Sequence, residues 1–219
     1  MSGGESHTFA ARVCVTRSVA AKSSKEKSLE SAPSITLKRR RVAFENSRFR
    51  VFDDHIADSR GAEVRDYLVV APHTKREDLI TGISVLPVCD ERIVLLRTFR
   101  HAISAMQLEV ARGFVDAGED PADAALRELS EETGLECDRE DLISLGTCTP
   151  EGSTLAARVA LYAATKCRPG NHTLDAELGL GGCEYMSLAE ASQRLREMSI
   201  EDVSTALVLH RYFQWRDRR

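Results

Sequence analysis

Two dense apolar runs, Ile83–Cys89 and Ile93–Phe99, stand out against a mostly polar chain. Each is strand-sized, and Asp90-Glu91-Arg92 between them is turn material, so the pair predicts a hairpin. Shorter strand-like pieces precede it at Val42–Phe44, Arg48–Phe52 and Tyr67–Val70, separated by Asp53-Asp54 and Ser59-Arg60-Gly61. Further strands are expected at Gln107–Val110, Ile143–Thr149, Val159–Thr165 and Glu184–Ser187. Helical spacing predicts helices over Leu188–Met198 and Asp202–Trp215. The best-punctuated helix spans Asp120–Thr133. Asp120 suits its N-cap, Pro121 its first turn, and Gly134 its left-handed end. Strands first and helices interspersed predict an α/β sandwich around a mixed sheet.

Composition sets bounds on this reading. The 219 residues are 42% hydrophobic and 29% charged, with a net charge of −4, which excludes wholesale disorder and fibrous architectures. The mildly acidic balance argues against general nucleic-acid binding. No apolar run is long enough to cross a membrane as a helix. The six cysteines form no C-x-x-C pair and read as reduced small hydrophobes. Residues 1–33 are rich in Ser, Ala and Lys and read as a flexible tail, or as an organellar presequence. Residues 34–75 read as a small N-terminal β subdomain, with residues 76–219 as the main domain. Lys38-Arg39-Arg40-Arg41 reads as the charged edge of a strand rather than a targeting signal.

The chemistry concentrates in the helix over Asp120–Thr133. Glu128, Glu131 and Glu132 stand at i, i+3 and i+4, so their carboxylates share one face. Three such charges call for a cation, and hard oxygen donors suit Mg²⁺ or Mn²⁺. Arg127 is placed to pair with Glu119 and fasten a loop opening at Gly113 to the helix. Gly113 lets a ligand or metal approach the backbone. Neither a P-loop nor a G-x-S-x-G elbow is present.

The segment Gly113-Phe-Val-Asp-Ala-Gly-Glu119 through Arg127-Glu128-Leu129-Ser-Glu131-Glu132-Thr-Gly134-Leu135 fills every specified position of G-x5-E-x7-R-E-U-x-E-E-x-G-U, where U is bulky and aliphatic. It resembles the Nudix box. The resemblance implies a Nudix hydrolase: an α/β/α sandwich with a mixed sheet that cleaves nucleoside diphosphates linked to another group. It further implies that Glu128, Glu131 and Glu132 bind Mg²⁺ (or Mn²⁺), joined by the Arg112 carbonyl, with Glu132 and Glu128 catalytic. Outside the box, Pro150, Leu95-Leu96-Arg97-Thr98-Phe99-Arg100 and Glu109-Val110-Ala111-Arg112-Gly113 resemble the ADP-ribose and ADP-sugar pyrophosphatases. Ala111 and Arg112 depart from that subfamily's Pro-Ala before the glycine.

This wider resemblance implies substrate contacts at Arg97, Arg100, Glu109, Gly113 and Pro150. It also implies a general base on the loop of residues 168–183, where Glu177 is chosen over Asp175 and Glu184. Gly179, Gly181 and Gly182 would let that loop close. The expected reaction is hydrolysis of ADP-ribose or a related ADP-sugar to AMP and a sugar phosphate. GDP-mannose, dinucleoside polyphosphates, nucleoside triphosphates, capped RNA and a noncatalytic nucleotide-sensing role are the alternatives. A homodimer is expected, in the cytoplasm, or in mitochondria if residues 1–33 serve as a presequence.

Overall fold

The structure is a computed structural model that describes residues 34–74, 76–171 and 178–219. Its elements run β1 (Ile35–Glu45), β2 (Phe49–Asp58), β3 (Glu63–Pro72), β4 (Ile80–Cys89), β5 (Arg92–Arg100), β6 (Ala105–Glu109), β7 (Ala111–Phe114) and α1 (Pro121–Thr133). They continue with β8 (Leu135–Glu136), β9 (Leu142–Cys148), β10 (Arg158–Ala164), β11 (Arg168–Pro169), β12 (Leu180–Ser187), α2 (Leu188–Arg196) and α3 (Val203–Arg216). Residues 1–33 and 172–177, the latter including Asp175 and Glu177, lie outside the described residues.

β4 and β5 are apolar without alternation because both of their faces are covered. In β4, Ile83 and Val85 pack with Ala124, Ala125 and Leu129 of α1. Leu86 and Val88 face the other way, onto Leu188 and Ala191 of α2 and Val208, Leu209 and Tyr212 of α3. The same alternation sends Val94 and Leu96 to one core and Ile93 and Leu95 to the other. The result is a helix–sheet–helix sandwich whose sheet is mixed: β4 runs parallel to β10 and antiparallel to β5 and β7.

The hairpin between the two apolar runs is present but short. Asp90 adopts a left-handed conformation at its turn, and pairing covers Val88↔Ile93 and Cys89↔Arg92. Beyond that the strands part. β4 takes β7 as its neighbour, and β5 takes β6. The expected strand over Gln107–Val110 is accordingly two strands broken at Val110, one on each side of the parting. Gly113 lies within β7, opposite Ile83, and does not open a loop.

β12 begins at Leu180, earlier than the expected Glu184, and pairs with β5 through an irregular register between Leu180 and Cys183. Gly179 explains the early start. At φ 93° its carbonyl accepts from Phe99 N–H at 2.8 Å, and a Cβ there would stand 2.8 Å from the Phe99 carbonyl oxygen. Gly179 and Gly181 thus let two backbones lie close.

The N-terminal sheet has the order β1-β2-β3, with β1 at its edge. β1 spans eleven residues, all exposed, so alternation could not delimit it in sequence. Its basic run forms cross-strand ion pairs: Arg40 holds Asp54 at 2.8 and 2.6 Å, and Arg41 holds Asp53 at 2.6 Å. The five cysteines among the described residues are free and partly exposed rather than fully buried.

Candidate active site

α1 is fixed at both ends by its own sequence. Asp120 accepts from Ala122 N–H at 2.9 Å, and Gly134 closes the helix at φ 65° with its N–H on the Ser130 carbonyl. Its apolar face seats Ala124, Ala125 and Leu129 on the sheet, so the glutamates three and four positions apart must lie along one flank. That flank, with Glu128, Glu131 and Glu132, forms a wall of a cavity of about 1100 Å³. Other walls carry Arg48, Phe49, Arg100, Arg112, Phe114 and Pro150.

The Arg127–Glu119 pair expected from sequence is formed, and it does more than join loop to helix. Arg127 Nε and Nη2 meet the two Glu119 oxygens at 3.0 and 3.2 Å, while Nη2 also donates to the Phe114 carbonyl at 3.0 Å. Glu119 accepts in addition from Asp116 N–H at 2.8 Å. The remaining nitrogen, Nη1, lies 2.7 Å from Glu128 and 3.0 Å from Glu131. These contacts hold the Glu119 carboxyl below its usual pKa, with the Arg127 hydrogen bond as first cause, and hold the guanidinium above its own.

Glu128 also explains Gly113. A Cβ at position 113 would fall 1.9 Å from Glu128 Oε1 and 2.0 Å from its Cδ, so the carboxylate occupies the space that any side chain there would take. Glu132 is 8% exposed, and its Oε2 accepts from Arg112 N–H at 2.9 Å. Ser84 stands across from Arg112 on β4; its buried hydroxyl lines the cavity without a hydrogen-bond partner.

These observations test whether the site suits a divalent cation. The donor set is oxygen-only, as hard cations require. The orphaned Ser84 hydroxyl and the Gly113 cradle leave polar groups open to the same cavity. Among the described residues, no three His, Cys, Asp or Glu side chains are arranged as a finished cage. Positive charge between Glu128 and Glu131 is instead supplied by Arg127. The oxygens of Glu128, Glu131 and Glu132 at this cavity wall are of the type a hard cation takes.

Arg100 lines the cavity, and its guanidinium is anchored on Glu109: Nε lies 3.0 Å from both carboxylate oxygens and Nη2 donates to Oε2. Glu109, 1% exposed, also receives Arg112 Nη2 at 2.8 Å, so it holds two arginines and does not itself line the cavity. Arg112 Nη1 reaches on to Asp202 at 2.9 Å. Asp202 caps α3 through Thr205 N–H at 2.8 Å and accepts the Thr205 hydroxyl at 2.7 Å. That hydroxyl in turn accepts from Val110 N–H at 3.0 Å, at the break between β6 and β7. This buried relay was missed in sequence because its members lie 95 residues apart. The Asp202-to-Thr205 spacing before an apolar run was the one available signal.

Arg97 is not brought to the cavity. It is three residues before Arg100 on one strand, and strand alternation sends the two to opposite faces. Arg97 pairs instead with Glu184 of β12 at 3.2 Å. Gly113 and Pro150 do line the cavity, whereas Glu177 lies outside the described residues. Arg48, Phe49 and Phe114 were not singled out in sequence. The two rings meet edge-on at 5.8 Å, with the Arg48 guanidinium 5.5 Å from the Phe114 centroid.

Comparison with known proteins agrees with this architecture. The NUDIX domain family model matches residues 78–207. The methanol dehydrogenase activator of Bacillus methanolicus is 31% identical over 135 residues, covering 58% of this chain and 69% of that protein. The ADP-sugar pyrophosphatase of Mus musculus is 36% identical over 77 residues, covering 33% of this chain and 35% of its own. The ADP-ribose pyrophosphatase of Saccharomyces cerevisiae is 35% identical over 83 residues, 35% of this chain and 36% of that one. The matches thus span about a third of the length of each pyrophosphatase. A solved structure described as an ADP compounds hydrolase superposes with a TM-score of 0.70 at 19% identity, covering 85% of this chain and 95% of its own, which shows the shared fold. By the family model, the completed box and the sandwich that carries it, this chain belongs to the Nudix family, among relatives that include ADP-ribose and ADP-sugar pyrophosphatases.

Proposed function

We propose that the chain hydrolyses the pyrophosphate bond of ADP-ribose or a related ADP-sugar, giving AMP and a sugar phosphate, with Mg²⁺ (or Mn²⁺) as cofactor. The observation that carries this reading is one cavity combining the α1 carboxylates with arginines and an aromatic pair. A nucleoside diphosphate linked to a sugar needs all three: anion donors for the diphosphate, a ring surface for the base, and an acidic wall. Arg100, pre-set by Glu109, offers a guanidinium edge to phosphate oxygens. Phe49 and Phe114, beside Arg48, offer the base a stacking surface.

Glu128, Glu131, Glu132 and the Arg112 carbonyl would hold the metal. When bound, it neutralises the diphosphate and lowers the pKa of the attacking water. Water oxygen adds to one phosphorus, and the bridging oxygen leaves with the other phosphate. We assign acceptance of the water proton to Glu177, on sequence grounds. Gly113 keeps Glu128 against the backbone, and Arg127 with Glu119 holds the α1 carboxylates at the cavity wall.

The test is product analysis with ADP-ribose, GDP-mannose, a diadenosine polyphosphate and a nucleoside triphosphate, with Mg²⁺ and with chelator. AMP is expected mainly from ADP-ribose, and only with metal. Glu132→Gln should lower turnover about a hundredfold or more while melting temperature holds. Metal-dependent cleavage of another member of the panel would replace the substrate. Nucleotide binding without hydrolysis, unchanged in Glu132→Gln, would instead favour a sensing role.

A further inference from the structure

Three cysteines far apart in sequence meet behind α1, away from the cavity. Cys89 ends β4, Cys137 follows β8, and Cys167 precedes β11. All three pack against the core that α1 covers, and none lines the cavity. The backbone enforces this. Cys167 N–H donates to the Val88 carbonyl at 3.0 Å, which fixes Cys167 beside the end of β4. β8 and β11 pair antiparallel with Arg168 opposite Glu136 and Pro169 opposite Leu135. The pairing ends there, and carrying its register one step further would set Cys167 opposite Cys137.

The spacing of that pair follows from the ladder. Gly170 N–H donates to the Gly134 carbonyl at 2.8 Å, which makes that position hydrogen-bonded. Antiparallel pairs alternate, so Cys167 and Cys137, three positions on, would form a pair without mutual backbone bonds. Such pairs bring Cα atoms to about 4.5 Å, within the range a disulfide spans. Both cysteines are free and half-buried. Each also donates to a backbone carbonyl: Cys137 to Thr165 at 3.1 Å and Cys167 to Ala164 at 3.0 Å.

We propose that Cys137 and Cys167 form a redox modification site, closing a disulfide across the β8–β11 pair when the chain meets a peroxide. The balance is complete with hydrogen peroxide as oxidant. One thiolate attacks a peroxide oxygen; the S–O bond forms, the O–O bond breaks, and hydroxide leaves as water after taking a proton. The second thiolate attacks the sulfenic sulfur, the S–S bond forms, and a second water leaves. Two thiols and one peroxide thus yield one disulfide and two waters. Burial pushes Cys137 up to about 11 and Cys167 higher still, so the thiolate is scarce at neutral pH. Linkage should therefore be slow at pH 7 and faster at pH 9. The bond would close a loop around β9 and β10 and join the segment leaving α1 to the one entering residues 172–177.

The test uses the full chain, treated with hydrogen peroxide at pH 7 and 9, alkylated, digested without reductant and mapped by mass spectrometry. A Cys137–Cys167 peptide is expected. It should be lost in Cys137→Ser and in Cys167→Ser, form faster at pH 9, and raise the reductant-sensitive Tm by roughly 5–10 °C. A link of Cys167 to Cys89, links to Cys14, Cys148 or Cys183, or sulfinic acid on single thiols without a link would each overturn the assignment. So would unchanged free thiols under conditions that oxidise a model thiol. The readout is chemical, so it stands whatever substrate the cavity takes.

Discussion

Gly113 shows how one missing side chain builds the acidic wall of the cavity. Its backbone is extended within β7, so the glycine is not there for conformational freedom. It is there because the Glu128 carboxylate fills the place of a Cβ. Gly113→Ala should therefore push Glu128 out of position, at a cost of about 1–3 kcal/mol in stability. Turnover should fall far more than stability requires, because the displaced group belongs to the acidic wall. Urea titration and steady-state kinetics on the same preparation check both. Wild-type kcat in this variant would show that Glu128 acts elsewhere. Asp202 is a second residue with several duties, as cap of α3, partner of Thr205 and anchor of Arg112. Asp202→Ala should cost about 2–4 kcal/mol, the sum of a lost cap and a broken, largely buried ion pair. Chemical denaturation measures it, and a loss below about 1 kcal/mol would mean the relay is not coupled to the fold.

At the scale of elements, α1 was legible to the residue, because caps, helix period and box all speak through neighbours in sequence. β1 was not. Its eleven exposed residues carry no burial pattern, and what makes it a strand is pairing with β2, including Arg40 on Asp54. The parting of β4 and β5 was equally hidden, because each apolar run fits either a long hairpin or two separate neighbours. In the site, Glu128, Glu131 and Glu132 were readable from spacing, and Arg100 from its motif. Arg97 was misplaced because a motif does not record strand faces. Phe49 and Phe114 lacked any local signal.

The β1–β2 pairing carries its own pH dependence. Asp54 is 2% exposed, and the Arg40 hydrogen bond, its first cause, holds its carboxyl below the usual range. A lowered folded pKa contributes stability above the unfolded value near 4, and that contribution is lost as pH falls through the folded pKa. Asp54→Asn should cost about 1–2 kcal/mol at pH 7, discounted because Arg40 is partly exposed. The gap from wild type should narrow as pH falls below the unfolded value near 4. Thermal melts across that range decide it, and a gap that does not narrow would point to lost packing.

For the whole molecule, the N-terminal sheet leaves Ile35, Leu37, Val42, Phe44, Val64 and Leu68 exposed, between 45% and 67%. Apolar residues gathered on one small sheet suggest a covering partner. We infer that a second copy of this chain covers them. Light scattering should return a dimer, and Phe44→Glu should shift it toward monomer while the main sheet stays folded. A monomer at every concentration would remove the inference. Among the described residues no helix is long and apolar enough to cross a membrane.

Arg127 is also a built-in rival for any cation brought to this wall. Two of the three box carboxylates already rest on its guanidinium, so their mutual repulsion is met from within the chain. A divalent ion placed on Glu128 and Glu131 would compete with that guanidinium for the same oxygens. Occupancy there would be settled by an exchange of partners, not by the filling of an empty seat.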